Sequence, residues 1–237
     1  MDYVTLTDLL VFTTLDPILT ETAEVLGIQY QQTIERICRD TLIATTTKQY
    51  ASTAVSTITV TAAMKITKAE VQEAVRTLKL QIARKITSQI DFSTGFNTSP
   101  IATCYIGICS PNTTYDLKNI PGFVRVEEYG QKKAMEGEVG ALDEVRFVET
   151  TEAYVSTLAA GGGGAGGIDV HNTLILGADA YGITRISGEA VKNIIKPLGS
   201  AGAADPLNQR QTSGWKATFV AKILNSQWIL AIEHAVS

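Results

Sequence analysis

Residues 16–43 read DPILTETAEVLGIQYQQTIERICRDTLI, and this stretch decides the fold class. Asp16 can cap the free amides of a helix start, and Pro17 suits the first helical position. Leu19, Val25 with Leu26, Tyr30, Ile34, Ile37 with Cys38, and Leu42 recur at steps of three and four, the period of one helix face. Gln29, Gln31, Gln32, Glu35, Arg36 and Arg39 fill the rest. The pattern predicts a helix of about seven turns, long for a compact domain, with the expected role of a strut laid across other elements.

Outward from this helix the chain reads as alternating strands, turns and shorter helices. Residues 3–12 start as a β-rich strand. Residues 44–66 are rich in Thr, Ala and Ser; Val55, Ile58 and Val60 suggest a short strand or extended arm. Thr67 and Glu70 stand at capping-box spacing before a helix expected to bury Val71, Val75, Leu78 and Ile82. Strands are expected at 101–109, 145–148 and 168–176, and a short helix after Ser110-Pro111. Residues 196–214 read as a polar loop. Trp215–Leu224 and Gln227–Val236 flank Asn225-Ser226, which predicts a terminal hairpin. No regular strand–helix–strand alternation appears, so the class is α+β.

Composition narrows the function. The 237 residues carry 20 Lys and Arg against 24 Asp and Glu, a net charge of −4, which argues against tight nucleic-acid binding. No run approaches the roughly 18 apolar residues of a membrane span, and no basic-then-apolar leader opens the sequence. Cys38, Cys104 and Cys109 are odd in number and contain no CxxC, so free thiols are expected.

Chemical motifs are weak. The glycine run Gly161–Gly167, broken only by Ala165, precedes a strand-like Ile168-Asp169-Val170 and has no nearby lysine, so it reads as a mobile surface loop rather than a phosphate loop. His171 and His234 lack metal-ligand spacing and read as structural. Cys104 and Cys109 sit in an apolar strand, where cysteine behaves as a small hydrophobe. Glu127, Glu128, Glu136, Glu138, Asp143, Glu144 and Glu149 form a carboxylate-rich stretch, expected to be solvated or to pair between subunits. Lys68, Arg76 and Lys79 read as a solvated helix face. No catalytic, cofactor or metal set emerges.

Three stretches resemble a known family. Gly137-Glu138-Val139-Gly140 with Val145-Arg146-Phe147-Val148-Glu149-Thr150-Thr151-Glu152-Ala153 resembles a central signature of major capsid proteins from phages related to the tailed phage N-four. Asp205-Pro206-Leu207-Asn208-Gln209-Arg210, with Gly214-Trp215-Lys216-Ala217-Thr218-Phe219 and Ile223-Leu224-Asn225, is similar to that family's C-terminal signature. Asp2-Tyr3-Val4-Thr5-Leu6-Thr7-Asp8 is similar to the strand that enters its long helix, and the region from Asp116-Leu117 to Tyr129 fits loosely.

The resemblance implies the Hong Kong 97-type capsid fold: a peripheral domain with a long spine helix and a β-sheet, and an axial domain. It places the peripheral domain at 1–66 plus 205–237 and the axial domain at 67–204. Glu138, Gly140, Arg146, Glu149, Asp205, Pro206, Asn208, Gln209, Gly214 and Trp215 are its signature positions, expected to be structural or interfacial. Its implied partners are further copies, in hexamers and pentamers of the full-length protein, with weak sequence-independent contact to packaged double-stranded DNA and no membrane. The location is the virion, with the host cytoplasm during assembly. The family carries an arm and an extended loop before the Asp-Tyr-Val-Thr strand, whereas Met1 stands directly before it here. A shortened form is therefore implied, expected to be a monomer or small oligomer. Two rival readings are a cellular nanocompartment shell of the same fold and a small-molecule enzyme with an unrecognised site.

Overall fold

The computed structural model describes residues 1–13, 18–45, 47–86, 104–129, 134–157, 167–184 and 191–237. In chain order these form β1 (Asp2–Thr7), α1 (Asp8–Thr13), α2 (Ile18–Ile43), β2 (Lys48–Tyr50), α3 (Lys68–Leu80), β3 (Tyr105–Cys109), α4 (Pro111–Lys118) and β4 (Val124–Arg125). Then come β5 (Glu138–Leu142), β6 (Val145–Glu149), β7 (Val155–Ser156), β8 (Val170–Leu176), β9 (Tyr181–Thr184), β10 (Lys192–Lys196), β11 (Arg210–Lys216), β12 (Val220–Ile223) and β13 (Ile229–His234). The long helix expected after Pro17 is present as α2. Its expected cap at Asp16 and Pro17, and the run Gly161–Gly166, lie outside the described residues.

The chain divides into two compact units, Met1–Cys38 with Ile183–Ala221, and Arg39–Gly182 with Lys222–Ser237. In the first, β1 and β10 pair antiparallel with the two sides of β11. The expected strand over residues 3–12 stops at Thr7, and Asp8 opens α1, its Oδ1 accepting from Leu9 N at 2.7 Å. The presumed polar loop 196–214 already enters β11 at Arg210. Trp215 lies edge-on to Tyr30 of α2, ring centroids 5.1 Å apart. Gln29 extends the same contact: it donates to Asp2 Oδ2 at 2.5 Å and accepts from Trp215 Nε1 at 3.5 Å. That bond holds the Asp2 carboxyl below its ordinary pKa.

In the second unit, β2, β13, β8, β3, β6, β5 and β4 lie side by side in that order, with β7 against β8. All six residues of β13 and all seven of β8 are buried. Strands covered on both faces belong at the centre of a layered structure. That requirement overrides the terminal hairpin. β13 pairs with β8 and β2, and β12 pairs with β9 instead. Between β12 and β13, Leu224 N and Asn225 N both donate to Ala180 O, and Asn225 Oδ1 caps Gln227 N at 3.0 Å. The Asn-Ser pair thus begins a 3-10 turn rather than a two-residue reversal.

Helix α3 packs Val71, Ala74, Val75 and Leu78 into the main core, with Tyr105, Phe147, Ile175, Leu230 and Ile232. The expected capping box forms, Thr67 N donating to Glu70 Oε2 at 2.7 Å. Glu70 also accepts from Ser52 N at 2.6 Å, at a residue with φ +57. The carboxylate is only 7% exposed, so both bonds are charge-assisted in a dry setting. Glu70→Ala should cost about 2–3 kcal/mol, measured as a fall in the denaturant midpoint. Glu70→Gln, which can still accept one bond, should cost less.

Three local expectations change. Ile82 lies past the end of α3, 82% exposed rather than buried. The strand read into Val55, Ile58 and Val60 is a 3-10 turn, and β2 lies earlier in the chain. On α2, Leu26 and Leu42 are buried, but Val25 and Ile37 point outward, because the covered line is narrower than the apolar stripe.

Candidate assembly surface

Four signature positions meet on the β5–β6 hairpin. Glu138 and Arg146 are fully covered and joined by two hydrogen bonds, Nε to Oε1 at 2.5 Å and Nη2 to Oε2. Met135 N adds a third donor to Glu138 Oε2 at 2.8 Å. The Tyr129 ring lies over the guanidinium, 5.8 Å from its centroid. Burial pulls the Arg146 pKa down, but the Glu138 hydrogen bonds and charge outweigh it and hold it above its ordinary value. Gly140 sits where β4 crosses closely: a Cβ there would collide with the Phe123 ring and the Val124 carbonyl. Glu149 pairs with Cys109 across β3 and lines an open cleft of about 490 Å³ with Lys118, Arg125, Glu127 and Glu138.

The C-terminal signature builds the entry to β11. Asp205 is buried, and its Oδ2 accepts from Arg210 N at 2.7 Å. Asn208 takes φ +54 and donates its amide to Asp205 O, with the exposed Pro206 between. Gln209 O accepts from Asp8 N at 2.9 Å, which sets the β1–β11 register. Gly214 lies under Tyr3, whose Cβ would be 2.7 Å from any Cβ added there. These positions shape two turns and two strand contacts. Glu138 to Glu149 belong to the second compact unit, and Asp205 to Trp215 to the first.

The carboxylate-rich stretch is less solvated than expected. Glu138 is buried with Arg146, and Glu144 meets Lys79 and Lys85 at 2.5 and 2.6 Å within the chain. Lys79 is thereby taken from the presumed open basic face of α3. His171 and His234 oppose each other across β8 and β13, both buried. Ser110 Oγ lies 2.9 Å from His171 Nδ1, but Ser110 is itself buried and caps α4 through Thr113 N. Burial pushes the Cys104 and Cys109 thiols up to about 11, which leaves no ready thiolate. Among the described residues, no group of three or more His, Cys, Asp or Glu could hold a metal ion, and no helix is long and apolar enough to cross a membrane.

What stands out in the first unit is its apolar surface. Among its described residues only Leu6, Leu26 and Trp215 are buried large apolar side chains. Tyr3, Leu9, Phe12, Val25, Ile28 and Leu207 are exposed, Phe12 to 89%. The unit thus keeps little core and a large exposed apolar area. Sequence reading missed this, because it assigned the α2 stripe to one buried face.

No protein-family model matches the chain, and no curated protein matches it by sequence. Solved structures do match. The capsid of Ralstonia phage GP4 has a TM-score of 0.71 at 12% identity, over 100% of this chain and 73% of that one. The head of Helicobacter pylori bacteriophage KHP40 gives 0.67 at 10% identity, over 100% and 73%. This chain has the Hong Kong 97-type capsid fold. An encapsulin complex from Synechococcus elongatus shares the capsid fold at a TM-score of 0.56 and 8% identity, over 99% of this chain and 72% of that one. Such identities show the fold alone.

Proposed function

We propose that this chain is a structural subunit of a phage head, acting by repeated self-association rather than by turnover. The observation that carries this is the match of the whole chain to phage capsid structures. The exposed apolar set on the first unit supports it, because a shell subunit keeps its apolar area for its neighbours. In this reading the peripheral part is residues 1–66 with 205–237, which hold α2, β1 and β11, and the axial part is 67–204, which hold the β5–β6 hairpin. The signature residues hold both in shape: Glu138, Gly140, Arg146 and Glu149 in the axial part, Asp205, Pro206, Asn208, Gln209, Gly214 and Trp215 in the peripheral part. Copies meet as hexamers and pentamers in a virion assembled in the host cytoplasm. Contact with enclosed double-stranded DNA is through phosphates and, at net −4, weak.

Sedimentation velocity over a wide concentration range, with negative-stain microscopy, tests the reading. The expected result is mass that rises with concentration. Val25→Ser with Ile28→Ser should weaken association by about tenfold or more, since each side chain buries about 1.5–3 kcal/mol of transfer energy. A chain that stays monomeric at every concentration sinks the reading of the exposed apolar set as a surface for its own copies. The encapsulin match favours a second reading, a nanocompartment shell. Portal and terminase genes beside this one would select the phage head, and a cargo-enzyme gene the compartment.

A further inference from the structure

We propose that Leu80 and Ile82 form a rigid knob that contacts a second copy of this chain, an inference that rests on the assembly reading. Helix α3 ends with Ile82 N donating to Lys79 O at 3.0 Å and Ala83 N to Leu78 O at 2.9 Å. This pair of bonds places one residue in the left-handed region, a position that selects glycine or asparagine. Here it is Ile82, at φ +56. A β-branched residue there is a true outlier, strained by its own Cβ. The other non-glycine residues at positive φ among those described are Ser52, Asp143, Asp179 and Asn208, all short and polar.

The strain does not bury the side chain. Ile82 is 82% exposed and Leu80 71%. The backbone beneath them is nevertheless held on several sides. Trp228 Nε1 donates to Gln81 O at 3.1 Å, Tyr105 Oη to Ala83 O at 3.1 Å, and Ala178 N to Arg84 O at 2.8 Å. The two apolar side chains therefore stand on a fixed base, and little order remains to be lost on contact. Lys79 and Lys85 flank them, both bound to Glu144. Exposed apolar side chains next to a charged cluster suit a protein contact better than a phosphate or lipid site.

The occupant is another copy. The fold is one that builds shells from repeats, so a copy is the neighbour present for every subunit. Charge agrees: the Lys79–Glu144–Lys85 cluster has two lysines to one glutamate, and the chain as a whole carries 24 acidic against 20 basic residues.

The test uses Ile82→Gly, Ile82→Asn and Ile82→Leu in the full 237-residue chain. Thermal unfolding and sedimentation velocity are read together. Ile82→Gly removes the strain and should raise the unfolding midpoint by about 2–4 °C, while weakening association about tenfold. Ile82→Asn should weaken association equally, and Ile82→Leu should retain it. Gains in stability with loss of association cannot come from damage to the fold. Unchanged association of the Gly variant beside an associating wild type overturns the knob alone. A Gly variant less stable than wild type overturns the strain on which the inference rests. A wild type that never associates overturns the assembly reading and the knob with it.

Discussion

Arg146→Ala should remove about 3–5 kcal/mol of stability, a large share of what a domain of this kind possesses. The reason is the carboxylate left behind. Glu138 is 0% exposed at its side chain, and with Arg146 gone it loses its counter-charge and two donors, keeping Met135 N among the described residues. A buried anion without its counter-charge must either unfold its surroundings or take up a proton. The Tyr129 ring also loses the cation it covers. Guanidinium unfolding of the single variant and of Glu138→Gln with Arg146→Met separates the causes. The double variant should recover most of the loss, because it removes both charges from the core. A single variant within about 1 kcal/mol of wild type would falsify the account of this pair as a buried ionic clasp.

Acid should weaken the second unit before carboxylate titration is complete, through the His171–His234 pair. His234 is wholly buried, and burial lowers its pKa from 6.5 to about 4, with His171 adding to the effect and Asp116 opposing it. Its neutral ring is satisfied on both sides: Nδ1 donates to Ala235 O, and Nε2 accepts from the Thr173 hydroxyl, each at 2.9 Å. His171 is shifted the same way by burial. Because the folded pKa lies below the unfolded one, the unfolded chain binds the extra proton. Stability from His234 is therefore complete above pH 6.5 and is lost as the pH falls toward 4. The full span of the shift corresponds to about 3 kcal/mol. Denaturant midpoints at pH 7.5 and pH 4.5 should differ more for wild type than for His234→Asn. Parallel losses in the two proteins would show that His234 does not carry the acid sensitivity.

Local features were legible from the residues alone. The α2 helix, the Thr67–Glu70 capping box, the short helix after Ser110-Pro111 and the strands β6 and β8 follow from period and from side chains that satisfy their own neighbours' amides. Such interactions span at most four positions, so sequence contains both partners. The long helix and the signature blocks also pointed to the capsid fold that the structural matches bear out. Tertiary structure alone decided the rest. β13 abandons the hairpin because its six residues are all covered and need strands on both sides, here β8 and β2. A two-residue turn signal carries too little energy to oppose that burial. Glu138 looked like one of many solvated acids until β5 and β6 folded it against Arg146 beneath Tyr129. Ile82 had the spacing of a core residue, and only the hydrogen bonds that end α3 turned it outward. Pairing, burial and exposure depend on residues far apart in the chain, which periodicity cannot bring together.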